Sequence, residues 1–296
     1  MSQRGKFKRY MLILERLATQ PSLEQLRDRL HEHGHEVSAR TLQRDLEELR
    51  DEFGVEAEYD RSGNCYRITG GLDSVSMLMN LLERAQLLEL VRDGGKPKAA
   101  AHECLRFEEL GRLRGIHHME PLLLAVRDRR EAKVDYRKFK SSGNKSIRIR
   151  PHLLKEFRGR WYVIGPASNY EHPIALGLDR IEGVQVLAAR FKRDEKKVVE
   201  LYDHTIGVDT SPGKAERILL HFTPAQAPYV KALPLHSSQL LEQEDDRGLT
   251  VSMYVMPNFE LRQILLGYGS SVKVLEPTSL AGDIRKAHQE AAAKYK

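Results

Sequence analysis

The chain has 296 residues, with 48 Lys and Arg against 42 Asp and Glu, a formal net charge of +6 at pH 7 and a pI of about 9.2. That length holds two or three domains, each able to bury its own core. With 41% hydrophobic residues and a mean hydropathy of -0.51, the profile is that of a soluble, cytoplasmic protein. No run of about 18 apolar residues occurs, which excludes a membrane-spanning helix, and the basic opening MSQRGKFKRY leads into an amphipathic stretch rather than an apolar signal core. Cys65 and Cys104 are too few for a disulfide framework or a cysteine zinc site.

The first about 70 residues read as three helices and a hairpin. Lys6 to Ala18 is the first helix, Leu23 to His33 follows the Pro21-Ser22 break, and Ser38 to Phe53 is the third, ended by Gly54. In the third, Ala39, Leu42, Leu46, Leu49 and Phe53 form one apolar stripe, with Ser38 as N-cap. Arg40, Gln43, Arg44 and Glu47 project from the opposite side and Thr41 from the flank. A helix whose first two turns offer Arg, Thr, Gln and Arg suits a DNA major groove. Acidic Glu47, Glu48, Asp51 and Glu52 lie further back, where they would point away from the duplex. Val55–Tyr59 and Tyr66–Thr69 alternate as strands about the turn Asp60 to Asn64, so the order is that of a winged helix-turn-helix, with Arg61 at the wing tip. Arg4, Lys6, Lys8 and Arg9 are expected to add phosphate contacts.

Residues 72–115 read as helices, a connector or a dimer surface, broken at Gly94-Gly95-Lys96-Pro97 and resumed at Ala99–Leu113. Five short strands follow: 132–136, 146–150, 161–164, 174–178 and 183–188 suggest a small barrel. Residues 127–160 hold 13 Lys and Arg against Asp128, Glu131, Asp135 and Glu156, whereas residues 1–70 are nearly balanced, with 12 basic and 13 acidic side chains. The middle segment is therefore a second, separate place for an anion. There Ser146, Arg148 and Arg150 share one strand face, with Ile147 and Ile149 on the other and His152 following in step. Arginine forks suit phosphate, and Tyr162 nearby adds a stacking surface. Trp161 faces opposite to Tyr162 and belongs to the core. The tail from Lys214 reads strand, helix, strand, strand, helix, strand, helix, the ferredoxin-like split arrangement.

These pieces resemble the WYL-domain transcriptional regulators over essentially the whole chain. The namesake strand is Trp161-Tyr162-Val163 within GRWYVIG, with VDY at 134–136, SIRIRPH at 146–152 and LDRIEGV at 178–184 around it. TLQRDLEEL at 41–49 resembles the family's DNA-binding head, and LLGYGSSVKVLEP at 265–277, with the helix that finishes in Tyr295, its C-terminal extension. Val163 stands where the namesake motif has Leu, and Ala175-Leu176-Gly177 where an Arg and an aromatic are common. The resemblance implies an SH3-like or Sm-like barrel that senses a nucleotide or nucleic-acid ligand at Tyr136, Ser146, Arg148, Arg150, His152, Tyr162 and Arg180. It also implies the company of phage-defence operons and their repression.

The expectation is an α+β multidomain chain: head 1–70, helical connector and dimerisation segment 71–120, sensing barrel 121–205, and C-terminal α/β extension 213–296. It is read as a homodimeric repressor that binds an inverted repeat of double-stranded DNA through Ser38, Arg40, Thr41, Gln43, Arg44 and Arg61, and is released by an anionic effector. An activator of the same build is the first alternative; a nucleotide-processing enzyme, or a barrel that is itself the main nucleic-acid reader, are the others. His31, His33, His35, His117 and His118 match no metal-ligand spacing. Gly267 and Gly269 lack the Lys and Ser/Thr of a phosphate loop, and Ser142 with Lys145 meets by accident of a turn. No cofactor, metal or catalytic set is expected.

Overall fold

The computed structural model describes residues 3–92, 114–138, 144–192, 195–211 and 214–295. The expected helix at 99–113, Cys104 and the turn residues 141–143 lie outside them. The chain divides into two units, Met1–Phe107 and Glu108–Lys296.

In the first unit, helices α1 (Gln3–Leu17), α2 (Leu23–Glu32) and α3 (Ala39–Phe53) precede a hairpin of β1 (Glu56–Asp60) and β2 (Cys65–Gly70), and α4 (Leu72–Arg92) follows. Local chemistry sets the ends. Ser22 and Gln25 form a reciprocal capping box on α2, Ser38 caps α3, and Gly54 ends α3 in the left-handed region at φ 68°. Leu26, Leu30, Leu42, Leu46 and Leu49 pack against Tyr10, Ile13, Leu14 and Leu17, and Leu78 and Leu82 of α4 complete this core. The Tyr66 amide donates to the Pro21 carbonyl at 2.8 Å, which ties the hairpin to the start of α2.

Arg9 corrects the sequence expectation. It is 3% exposed and makes a bidentate ion pair with the fully buried Asp45 of α3, Nε–Oδ2 2.8 Å and Nη2–Oδ1 3.0 Å, so it offers nothing to a phosphate. Lys6 is also engaged, on Glu48, which accepts the Tyr10 hydroxyl as well. Those two hydrogen bonds, Lys6 first, hold the Glu48 carboxyl below the usual carboxylate range.

In the second unit, α5 (Met119–Arg127) leads into β3 (Arg130–Arg137), β4 (Asn144–Ile149), β5 (Leu153–Phe157), β6 (Arg160–Gly165), β7 (Ile174–Gly177) and β8 (Ile181–Arg190). They form two antiparallel sheets, β4-β3-β8 and β5-β6-β7, bridged at Ile149–Ala167. Their shared core holds Leu122, Val134, Ile147, Ile149, Val163, Leu176 and Leu178, with Trp161 packed against it. Strand β5 adds to the five expected from sequence. All five of its residues are half-buried, so it carries no alternation to read. Helix α6 (Glu195–Asp203) sets Val198 and Tyr202 against Tyr162 and Ile164, on the side of β6 away from that core.

The remainder is β9 (Glu216–Phe222), α7 (Ala227–Ala232), β10 (Leu240–Asp245), β11 (Gly248–Val255), α8 (Phe259–Tyr268), β12 (Val272–Glu276) and α9 (Thr278–Ala293). The sheet runs β10-β11-β9-β12 with antiparallel neighbours throughout. Ile218, Leu220, Phe222, Val251, Leu261, Leu265, Leu280 and Ile284 form its core. No helix among the described residues is long and apolar enough to cross a membrane.

Arg9→Met should cost about 3–5 kcal/mol, the scale of stranding one member of a buried ion pair. Adding Asp45→Leu should recover most of it. Urea unfolding of the three chains measures this; a single variant that costs less than about 1 kcal/mol would show the pair to be unimportant.

Candidate nucleic-acid interface and ligand cleft

The apolar stripe of α3 faces the head core, which leaves Arg40, Gln43, Arg44 and Glu47 exposed and Thr41 half-buried. Ser38 Oγ accepts the Thr41 amide at 3.1 Å and lies 2.9 Å from the Thr41 hydroxyl, so both hydroxyls belong to the cap. The Arg44 side chain is 63% exposed. Its Nε stands 4.0 Å from Glu48, whose carboxylate Lys6 and Tyr10 already engage, so that tether is weak. Gln43 lies with Arg27, Tyr59, Asn64 and Tyr66 around a groove of about 610 Å³ between α2, α3 and the hairpin. Arg61 is exposed at the hairpin tip. Among the described residues, no three His, Cys, Asp or Glu side chains converge as metal ligands.

The seven residues of the expected effector site fall into three groups. Ser146 and Arg148 are exposed on the outer face of β4, where the register sets Arg148 opposite Lys133 and Ser146 opposite Asp135, and Arg150 is exposed just past the strand's end. Arg148 is paired with Glu131. His152 is buried instead: its Nδ1 lies 2.7 Å from the Arg150 carbonyl and its ring stacks on Phe191 at 5.0 Å. Tyr136, Tyr162 and Arg180 come together elsewhere. The Arg180 guanidinium lies 4.8 Å over the Tyr136 ring, whose hydroxyl accepts the Gly177 amide at 3.2 Å. Burial pushes the Tyr136 phenol up, so it stays neutral and supports Arg180 from behind.

Arg180 and Tyr162 line a cleft of about 880 Å³. One side is the run 169–175, and the other is Leu201 of α6 with residues 208–211. Tyr170 on the first side carries Lys145 at 5.6 Å over its ring. Glu171 and Asp209 share the lining with Arg180, so the cleft is of mixed charge. Arg160 contacts both Asp179, at 2.6 Å, and the Tyr162 ring, at 5.7 Å, which fixes the floor.

The far wall is held from two directions. Lys155 of β5 donates to the Thr205 carbonyl at 3.0 Å and the Tyr202 carbonyl at 3.4 Å, a cation at the C-terminus of α6. Desolvation lowers its pKa from the usual lysine value. From the other direction, Asn258 Nδ2 donates to the Ile206 and Asp209 carbonyls, both at 2.7 Å, while the Val208 and Asp209 amides donate to Glu260 Oε1, both at 3.2 Å. Neither Lys155 nor Glu260 stands out in the sequence. The signals present are Gly207, whose φ of 79° excludes most side chains, and Asn258 as an N-cap.

A WYL domain model matches residues 117–186 and a WCX domain model residues 214–292. No curated protein sequence matches the chain. Among solved structures, proteasome accessory factor B/C (PafBC) of Arthrobacter aurescens aligns over 98% of this chain at 17% identity and a TM-score of 0.30. This chain spans about half of that one, 47%. A CRISPR Cas-related protein aligns at 11% identity over 99% of this chain and 85% of its own, with a TM-score of 0.40.

Arg180→Ala should loosen the Tyr136 ring and the cleft floor without lowering the unfolding free energy by more than about 1 kcal/mol, since the half-buried side chain lines the cleft rather than a hydrophobic core. A larger loss would make Arg180 a structural residue rather than a cleft residue.

Proposed function

This chain is a WYL-domain protein with a WCX extension, and on that premise we propose that it is a sequence-specific, DNA-binding transcription regulator that acts as a homodimeric repressor. The observation that carries the reading is α3. Its first two turns expose Arg40, Gln43 and Arg44 while its opposite face is locked into a core. In this reading the head is a winged helix-turn-helix, the middle an SH3-like barrel and the end a ferredoxin-like domain. Arg40 and Arg44 take guanine edges or phosphates, Gln43 an adenine, Thr41 a phosphate or thymine methyl through what its cap leaves free, and Arg61 a backbone contact from the wing.

Two copies related by a twofold axis insert their α3 helices into the halves of an inverted repeat, ~34 Å apart or a multiple of it. A nucleotide or nucleic-acid effector releases the operator. The cleft supports a seat for it: Tyr162 offers an aromatic face, and Arg180, backed by Tyr136, a fixed cation. The outward row of Ser146, Arg148 and Arg150 adds a phosphate-attracting surface. The regulator works in the cytoplasm, catalyses nothing and controls a phage-defence operon.

Arg44→Ala should abolish discrimination between operator and random DNA in a binding assay, with the unfolding free energy changed by no more than about 0.5 kcal/mol; retained discrimination would refute the assignment of α3. Operator affinity should fall about a thousandfold between about 50 and 200 mM salt, as six or more phosphate contacts require. A flat salt response would rule out DNA as the partner. Arg148→Ala combined with Arg150→Ala should spare operator binding and remove induction. An inducible double variant would clear that row of any role.

A further inference from the structure

One stretch of chain belongs to two structures at once. Residues 208–211 line the cleft beside Tyr162 and Arg180, yet the hydrogen bonds that fix residues 204–209 come from the WCX domain as well as the WYL domain. The Met256 amide donates to the His204 carbonyl at 2.9 Å, and Asn258 and Glu260 hold the next turns. Both residues open α8, whose Leu261 and Leu265 lie in the WCX core. From the WYL domain, Lys155 holds the Thr205 carbonyl, and from α6 the Tyr202 hydroxyl donates to the Val208 carbonyl at 3.3 Å.

Gly207 makes the turn between these anchors. A Cβ there would come within 2.5 Å of the Glu260 side chain, so the strap and the carboxylate are in close contact. Glu260 is 8% exposed and its second oxygen, Oε2, has no hydrogen-bond partner among the described residues. The hydrogen bonds that compensate this buried carboxylate come from two strap amides, so displacing the strap costs Glu260 that compensation.

We infer that residues 205–211 are a relay through which occupancy of the cleft reaches the WCX domain, with Lys155 and Glu260 as the positioning residues on its two sides. A ligand against residues 208–211 changes the strap's energy only if it binds the two arrangements unequally, and the coupling is reciprocal. The strap touches both domains through buried polar bonds, and its apolar side chains do the same, Ile206 in the WCX core and Val208 against the cluster of Tyr162, Ile164, Val198 and Tyr202.

This rests on the reading of the cleft as the effector's seat, but the test needs no effector. Hydrogen exchange is followed in the full chain for Lys155→Met, Glu260→Ala, their combination, and Glu260→Gln. Lys155→Met removes no partner of the Val208 and Asp209 amides, and Glu260→Ala none of the Thr205 amide. Each should nevertheless speed exchange on the other's side by about tenfold, the scale of a lost charge-assisted hydrogen bond. The double variant should exceed the worse single by no more than about twofold, because coupled sites are not additive. Glu260→Gln keeps an acceptor for the two amides and should behave as wild type. Effects confined to each variant's own side, or strictly additive ones, would overturn the relay, as would Glu260→Gln matching Glu260→Ala. Coupled exchange together with intact induction in Arg180→Ala would uphold the relay and refute the seat.

Discussion

The buried Arg9–Asp45 pair constrains everything the head can present. Each ion alone would cost several kcal/mol in that environment, so the two must stay together and stay inside. Asp45 lies three residues after Leu42 and four before Leu49, on the apolar stripe, and Arg44 is its immediate neighbour. One residue step turns a helix by about 100°. Rolling α3 far enough to hide Arg44 would therefore pull Asp45 away from Arg9. The ion pair fixes helix rotation more sharply than leucines do, since apolar side chains accept several packings and a bidentate fork accepts few. Glu48 is drawn into the same arrangement: with Lys6 and Tyr10 on it, its charge is directed back toward α1.

Much of this was legible in the chain, and the boundary of legibility is physical. The α3 stripe, its Ser38 cap and its Gly54 stop are local signals, each acting within a turn or two, and the structure has them where the periodicity puts them. Asp45 on that stripe was a readable anomaly. Its partner was not, because Arg9 lies 36 residues away and its surroundings in the sequence are those of a solvated basic helix start. Strand β4 shows the same division. Alternation correctly sends Ile147 and Ile149 inward and Arg148 and Arg150 outward, but says nothing of Glu131 waiting across the register.

The effector set was harder because family likeness transfers positions, not faces. Tyr136 and Ser146 lie on neighbouring strands, and only the register, Asp135 opposite Ser146, puts them on opposite faces of one sheet. His152 continues the even-numbered row on paper, yet β4 ends at Ile149 and the ring enters a buried site beside Phe191. The cleft wall was invisible for a different reason. Residues 204–211 have neither periodicity nor charge bias, and their order comes from Lys155 and Glu260, roughly fifty residues away on either side.

The division between the basic row and the mixed cleft has a consequence for regulation. A strongly basic outer surface attracts any polyanion, and equal attraction in both states of a switch shifts nothing, however tight it is. Under the proposed function the row at Ser146, Arg148 and Arg150 therefore serves capture, raising the local concentration of phosphate-bearing molecules to the level that induction through the cleft requires. Discrimination between states has to come from a site whose shape differs between them. Under the proposed function the cleft meets that requirement, because one of its walls belongs to the WYL domain and the other is a strap that the C-terminal domain also holds. Glu171 and Asp209 in its lining oppose indiscriminate anion binding, so an occupant has to match the aromatic and hydrogen-bonding surface around Tyr162 and Arg180 as well as the charge.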